Sequence, residues 1–500
     1  MSDNGITVNG SPAGTDPEAN VYVGNDIIYY ESGKDFTYGE GTEQDAHSPQ
    51  AAAEHTVVHI ARPGTYRISG SLAKGQIAVD LGDDAEEDPE AVVTLILSGA
   101  DITCRVAPAI IFYNVYECGS GDADKASRDV DTSSAGANVI VADGTVNTVS
   151  GSYVARIYKP DSVVLNEAGT KVEDAKKLHK YDGAFYSKMS MNVSGGSENS
   201  GVLTINAENE GLDSELHLTI NGGIIHINSG NDGINTNEDG VSVTTVNGGQ
   251  LHIRVTGETG EGDGIDSNGW LVINGGIVTA QACSFSADAG IDSDMGIHIN
   301  GGTVIATGHM LDRIEEGGQN YAVFTFAEKQ TGSAPIRLED GNGHSLFDTA
   351  FSNDYSILVY SSPDLTAGSY TLWRDGVQLS GQSGGMMGGP GMPGMPGMGP
   401  GGMPPEPGEG QMPNGGMPPE SPGGMAPPEG GAPFEGQTPP DGWEAAPPDG
   451  WDAPPGGNPD DRQDGPRNPG NWNDGPKEDL TSEFRISVGG TMFQGVSPTQ

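Results

Sequence analysis

Basic side chains are scarce in this chain. Its 500 residues carry 23 Lys and Arg against 70 Asp and Glu, a formal net charge of −47. A field of that sign repels phosphate backbones and anionic lipid, so nucleic acid and membrane surfaces are poor partners, and cations are favoured. Cysteine is scarce as well. Cys104, Cys118 and Cys283 match neither CxxC nor a zinc ribbon. Cys104 and Cys118 could pair across neighbouring coils, but the simpler expectation for each is a small buried thiol. No apolar run reaches the ~18 residues a membrane span needs. The start, Met1-Ser2-Asp3-Asn4, lacks the basic and apolar regions of a signal peptide. It therefore reads as an intracellular form or as a chain whose leader has been removed. Sustained helical periodicity is missing too. Apolar residues come in short β-branched runs bounded by Gly, Pro and Asp, such as Thr56-Val57-Val58-His59-Ile60 and Val92-Val93-Thr94-Leu95-Ile96-Leu97.

Glycine is abundant, 79 residues against about 7% in average proteins, and much of it sits in a repeat. Gly211-Leu212-Asp213-Ser214 recurs as Gly233-Ile234-Asn235-Thr236, Gly264-Ile265-Asp266-Ser267 and Gly290-Ile291-Asp292-Ser293. A second block follows each: Ile220-Asn221-Gly222-Gly223, Val246-Asn247-Gly248-Gly249, Ile273-Asn274-Gly275-Gly276 and Ile299-Asn300-Gly301-Gly302, at steps of 26, 27 and 26. Short strands with sharp turns at that period stack as a parallel β-helix solenoid, each repeat burying its apolar face on its neighbours. Ile220, Val246, Ile273 and Ile299 should form a buried ladder, and the four Asn an amide ladder at a corner, with the paired Gly taking φ > 0. A leucine-rich repeat fails, because Leu is sparse and no helix fits the other half-repeat.

The expected organisation is a polar N-terminal tail over 1–50, the all-β solenoid over 51–380, a disordered Gly/Pro/Met-rich acidic insertion over 381–478, and a terminal strand over 479–500 that returns to the solenoid. Loops leave the coils near 119–137 and 159–181, the second with a possible short helix over 173–180. Residues 321–375 should form a last coil and cap. Linker composition accounts for Trp443, Trp451 and Trp472 better than sugar stacking does. It also accounts for Met386, Met387, Met392, Met395 and Met398 better than Cu(I) binding. His217, His226, His252 and His298 fall on strands without metal-ligand spacing.

Stacking turns the blocks into columns. Asp213, Asn235, Asp266 and Asp292 make one. Glu210, Asp232 and Asp263 make a second, broken at Ala289 with Asp288 beside it. Glu215, Asn237, Asn268 and Asp294 make a third. Carboxylates about 4.8 Å apart repel by roughly 3–4 kcal/mol at an effective dielectric near 20. Protonation, screening by water and salt, or a bound hard cation would relieve this. Oxygen-only donor sets suit Ca²⁺, whereas the plain alternative is that Asp and Asn sit here to cap tight turns. The calcium candidates are Asp213, Asp232, Asn235, Asp263, Asp266, Asp288, Asp292 and Asp294.

These coils occur together with His179-Lys180-Tyr181-Asp182-Gly183-Ala184-Phe185-Tyr186-Ser187-Lys188-Met189, with Gly64-Thr65-Tyr66-Arg67-Ile68-Ser69-Gly70-Ser71-Leu72 and with Ser361-Ser362-Pro363-Asp364-Leu365. In that combination the chain resembles bacterial carbohydrate-binding-domain proteins built on a pectate-lyase-like β-helix, over about 56–375 plus the last strand. The resemblance implies a right-handed parallel β-helix with bound Ca²⁺, held outside the cell or at its surface. It also implies binding of plant-wall polysaccharide, with polygalacturonate-type acid sugars or cellulose as ligands. Ca²⁺ bridging protein and uronate carboxylates would let an acidic protein bind an acidic sugar. Lys188, in the column of Glu215, and Arg254, after the second Asn-Gly-Gly, are the candidate sugar contacts. The expected function is thus non-catalytic, calcium-dependent polysaccharide binding. The rivals are a pectate-type lyase using Arg254 or Lys188 and a structural adhesin without glycan ligand. Asp232, Asp263, His309 and Arg313 have the wrong spacing for a polygalacturonase, and acidic pairs repeated in every coil behave as ladders do, not as catalytic pairs.

Overall fold

The computed structural model describes residues 1–384 and 480–499. The expected insertion, with its Trp and Met residues, lies outside the described residues except at its first few positions. The architecture is all-β. Among the described residues one short α-helix, Pro49–Ala53, is capped by Ser48, whose hydroxyl accepts the Ala51 N–H at 3.1 Å.

Three ladders of parallel strands carry the coils. The first joins Gly64–Leu72, Val93–Thr103, Ala137–Val141, Met191–Gly195, Leu218–Ile220, Val243–Val246, Trp270–Ile273 and Gly296–Ile299 in succession. The second runs from Val146–Gly151 through Val202–Ala207, Ile224–Ser229, Gln250–Val255 and Ile277–Gln281 to Thr303–Gly308. The third joins Thr56–Ile60, Gly75–Val79, Ile110–Phe112, Gly183–Ser187, Glu210–Ser214, Ile234–Thr236 and Ile265–Ser267. Alternation along each strand sends every second side chain inward. Ile220, Val246, Ile273 and Ile299 are register partners, each at most 1% exposed. Burying an aliphatic side chain this fully is worth about 1.5–3 kcal/mol, so the column supplies much of the reason for the stacking.

The asparagine ladder is present as expected. Nδ2 of Asn247, Asn274 and Asn300 each donates to Oδ1 of the preceding Asn at 2.8–2.9 Å. The second Gly of each pair, and not the first, takes a positive φ. Gly249, Gly276 and Gly302 have φ of 84°, 86° and 85°, and a Cβ there would lie within 2.8 Å of a backbone oxygen one coil down.

One expectation needs correction. Residues 1–50 are not a bare polar tail: Ile6, Ile27 and Tyr30 are buried, and Val21–Gly24 pairs antiparallel with Thr56–Ile60 at the end of the third ladder. The excursion at 159–181 is a loop, as expected, in which Val164–Leu165 and Val172–Asp174 pair as a small hairpin and residues 173–180 hold no helix. All three cysteines are free, Cys104 and Cys283 buried as expected and Cys118 partly so.

Beyond the coils the strands turn antiparallel. Tyr355–Ser361 pairs with Thr303–Gly308 and with Tyr321–Gln330, covering a ladder edge that would otherwise present unpaired backbone groups. Val377–Gly384 and Gly490–Pro498 pair antiparallel on either side of residues 385–479. This part has its own aromatic core, in which Phe324 stacks on Phe493 at 5.3 Å and Phe484 meets Phe493 edge-on at 4.9 Å.

Candidate functional site

The Gly-Ile-Asp-Ser blocks form the end of the third ladder. Asp213, Asn235 and Asp266 are register partners, and the Asp292 N–H continues the series by donating to the Ile265 carbonyl at 2.7 Å. Leu212 and Ser214 flank Asp213 and are themselves buried. Asp213 is packed so closely that a Cβ on Gly183 would fall 2.5 Å from its own Cβ. The second column is tied by backbone donors. The Asp263 N–H donates to Asp232 Oδ1 at 2.7 Å, and the Ala289 N–H donates to Asp263 Oδ1 at 2.5 Å. In the third column Asn237 Nδ2 donates to Asp213 Oδ1 at 2.6 Å.

These bonds use one oxygen of each group and leave others bare. Glu210 Oε1 accepts from Asn235 Nδ2 at 3.1 Å. Glu210 Oε2, Asp213 Oδ2 and Asn235 Oδ1 are buried with no hydrogen-bond partner, and so is Asp292 Oδ1 one coil pair along. Buried acceptors are nearly always paired. A proton, a cation or a donor water would satisfy them. Further along, Asp263, Asp266 and Asp292 each place a carboxylate oxygen within 4.8 Å of the other two. An all-oxygen set of carboxylates and a side-chain amide carbonyl is what Ca²⁺ takes, so the residues fit that ion.

Electrostatics points the same way. Burial, then the charge of neighbouring carboxylates, raises the pKa of Glu210, Asp213 and Asp232 far out of the usual range. Burial, then Asp232, lifts Asp263 to about 9. Burial, then Asp294, lifts Asp266 to about 6, and burial, then Asp312, lifts Asp292 to about 7. Glu210, Asp213, Asp232 and Asp263 therefore hold protons at neutral pH unless a cation replaces them, whereas Asp292 is poised near neutrality and Asp266 is mostly ionised.

Of the candidates named from the sequence, Asp213, Asp232, Asn235, Asp263, Asp266 and Asp292 come together. Asp294 acts on them electrostatically from the third column. Asp288 stands at the end of the second column, where its Oδ2 accepts from the Gly262 N–H at 2.6 Å and from Ser286. Glu210 belongs with the ligand candidates, and its place before Gly211, matching Asp232-Gly233 and Asp263-Gly264, was the available signal. Asp312, which accepts from the Ser293 N–H at 3.1 Å, stands outside the repeat and had no such signal. Asp182 presses on Glu210 and is held by Arg156 at 2.9 Å.

The two basic candidates separate. Lys188 flanks the acidic face: the Glu215 N–H donates to the Ser187 carbonyl, and Lys188 Nζ sits 4.9 Å from the Tyr113 ring centre, bonded to Glu86 and to Asn114 Oδ1 at 3.3 Å. Arg254 lies on the second ladder, its Nε donating to Asn353 Oδ1 at 3.2 Å, and the structure does not bring it to the acidic columns.

Residues 54–323, more than half of the chain, match the model of a family described as carbohydrate-binding domain-containing protein. No curated protein matches the chain. Among solved structures, a polysaccharide lyase-like protein from C. thermocellum, studied as a gadolinium derivative, aligns at 23% identity. It covers 50% of this chain and 80% of that one with a TM-score of 0.32, a likeness too distant to carry any inference.

Proposed function

Because the chain belongs to the carbohydrate-binding domain-containing protein family, we propose that it binds uronate-rich polysaccharide through Ca²⁺, without catalysis, on a right-handed parallel β-helix held outside the cell or at its surface. The three stacked parallel ladders support the helix, and parallel crossovers favour the right hand. The observation that carries the calcium reading is the set of buried, unpaired oxygens on Glu210, Asp213, Asn235 and Asp292 beside the Asp263–Asp266–Asp292 cluster. Calcium held at the partly exposed Asp263–Asp266–Asp292 cluster would reverse the local sign of a chain of net charge −47, turning a surface that repels uronate into one that holds it. Cellulose carries no charge and would draw nothing from such a bridge.

A lyase needs a free basic side chain beside a cation-held uronate. Lys188 is paired with Glu86, and Arg254 is bonded to Asn353 on another ladder. The test is titration calorimetry of polygalacturonate and of a soluble cellulose oligomer into the full chain. It is run in EDTA and in about 5 mM CaCl₂, above the ~10⁻⁴–10⁻³ M range of extracellular calcium modules. Polygalacturonate binding that strengthens sharply with Ca²⁺ is expected. Equal binding in both buffers would sink the calcium bridge. Silence toward both glycans in CaCl₂ would favour the adhesin, and ultraviolet absorbance from an unsaturated product would establish a lyase.

A further inference from the structure

Beside the acidic columns, a cleft of about 760 Å³ opens between the coil at 183–188 and the excursion at 159–180. Lys159, Lys176, Lys177, Lys180 and Lys188 line it together with Glu86, Glu117, Glu215 and Glu238, a local excess of lysine in a chain with only 23 basic side chains. Three of the lysines are partly neutralised: Lys177 by Glu40 at 3.1 Å, Lys180 by Glu215 at 2.9 Å, and Lys188 by Glu86. The ammonium groups of Lys159 and Lys176 have no carboxylate partner among the described residues. Their backbones are tied together, for the Lys159 N–H donates to the Lys176 carbonyl at 2.7 Å and the Lys176 N–H donates to Ser162 Oγ at 2.8 Å. Both side chains are exposed at the cleft, so their charges are available to an anion entering it.

The cleft also has features of a sugar site. His179 lines it, is 6% exposed, and has no hydrogen-bond partner on either ring nitrogen. Its ring stacks on Tyr181 at 4.5 Å. Burial lowers its pKa to about 4, so it is neutral and offers one donor and one acceptor, which suits hydroxyls. Tyr113 lines it as well, its ring partly exposed and 4.9 Å from Lys188 Nζ.

We infer that this cleft is a second, cation-independent subsite that takes one carboxylate-bearing sugar unit, with Lys159 and Lys176 on the carboxylate and His179 and Tyr113 on the ring. The inference shares the polysaccharide ligand of the proposed function but not its calcium. A sulfate ester presents similar charge, so the two sources are separated by experiment.

Trigalacturonate binding to the full chain is followed by calorimetry in CaCl₂ and in EDTA, for wild type, K159A/K176A and D263N, with circular dichroism as the check on folding. The double variant should bind about tenfold more weakly in CaCl₂, as expected for loss of charge-assisted contacts. In EDTA the wild type should retain a weak affinity and the double variant should lose it. Unchanged affinity of K159A/K176A in CaCl₂ overturns the subsite whatever EDTA does to the fold. Inorganic sulfate or a sulfated trisaccharide displacing trigalacturonate at equal concentration overturns the assignment to carboxylated sugars. Loss of the calcium-dependent component alone in D263N belongs to the columns and leaves the subsite standing, so the two readings fail separately.

Discussion

At the scale of the residue, the acidic columns show how a hydrogen-bond shortage marks chemistry. Backbone and amide donors reach one oxygen of Asp213, Glu210, Asp232 and Asp263, and the remaining oxygens of Glu210 and Asp213 are buried without a hydrogen-bond partner. Replacing one carboxylate oxygen by an amide removes both a charge and a ligand. Asp263→Asn and Asp292→Asn should each weaken calcium binding by about 10–100-fold, the worth of a charge-assisted contact of roughly 1.5–3 kcal/mol, measured by calorimetry with CaCl₂. Arg254→Ala should leave calcium affinity unchanged within twofold, since Arg254 bonds Asn353 on a different ladder. A loss matching that of Asp263→Asn would place Arg254 at the site after all.

At the scale of the element, the coils stand on two kinds of column. Ile273 sits between Val246 and Ile299 with no exposed surface. Ile273→Ala should cost about 2–5 kcal/mol in urea unfolding, the usual range for truncating a fully buried aliphatic side chain. Gly276→Ala tests the turn. Its φ of 86° suits glycine, and the new Cβ would lie 2.8 Å from the Gly249 carbonyl oxygen, so a loss of about 1–3 kcal/mol is expected in the same assay. Wild-type stability in that variant would mean the turn relaxes. Much of this scale was legible in the sequence. The Ile-Asn-Gly-Gly period placed Ile220, Val246, Ile273 and Ile299, and the amides beside them, correctly. The hairpin of Val164–Leu165 and Val172–Asp174 was not legible within what reads as a loop, because its strands are two and three residues long and mostly exposed, with no apolar alternation to mark them.

At the scale of the whole molecule, charge and fold are linked through pH. Asp263, Asp266 and Asp292 have pKa values of about 9, 6 and 7 in the folded chain against 3.8 for a free Asp side chain. Between about pH 4 and 9 the folded state therefore binds more protons than the unfolded one. Without cation, the stability these groups allow is full below about pH 4 and is lost as pH rises through their folded pKa values. In EDTA the melting temperature should fall steadily from pH 5 to pH 9. Calcium needs the deprotonated groups, so its stabilising effect should grow over the same range. At about 100 times its Kd the ion should add about 2.7 kcal/mol at pH 8. A melting temperature in EDTA that rises from pH 5 to pH 9 would contradict the buried columns.

By itself the sequence determined the period, the all-β composition, the aliphatic and amide ladders and the residues that recur in acidic columns. These follow from local rules: alternation, turn chemistry and a repeat whose apolar face must be covered by its neighbour. Only the tertiary structure decided which column members share a site and which oxygens lack donors, for a long step of 31 residues between Asn235 and Asp266 still ends in exact register. It also decided that Asp312 acts on Asp292, that Arg254 stands apart, and that Lys159 and Lys176 face one cleft. Those relations join residues far apart in the chain or in excursions without a repeat. Burial, which moves a carboxyl from pKa 3.8 to about 9, is a property of what surrounds a side chain and not of the side chain itself.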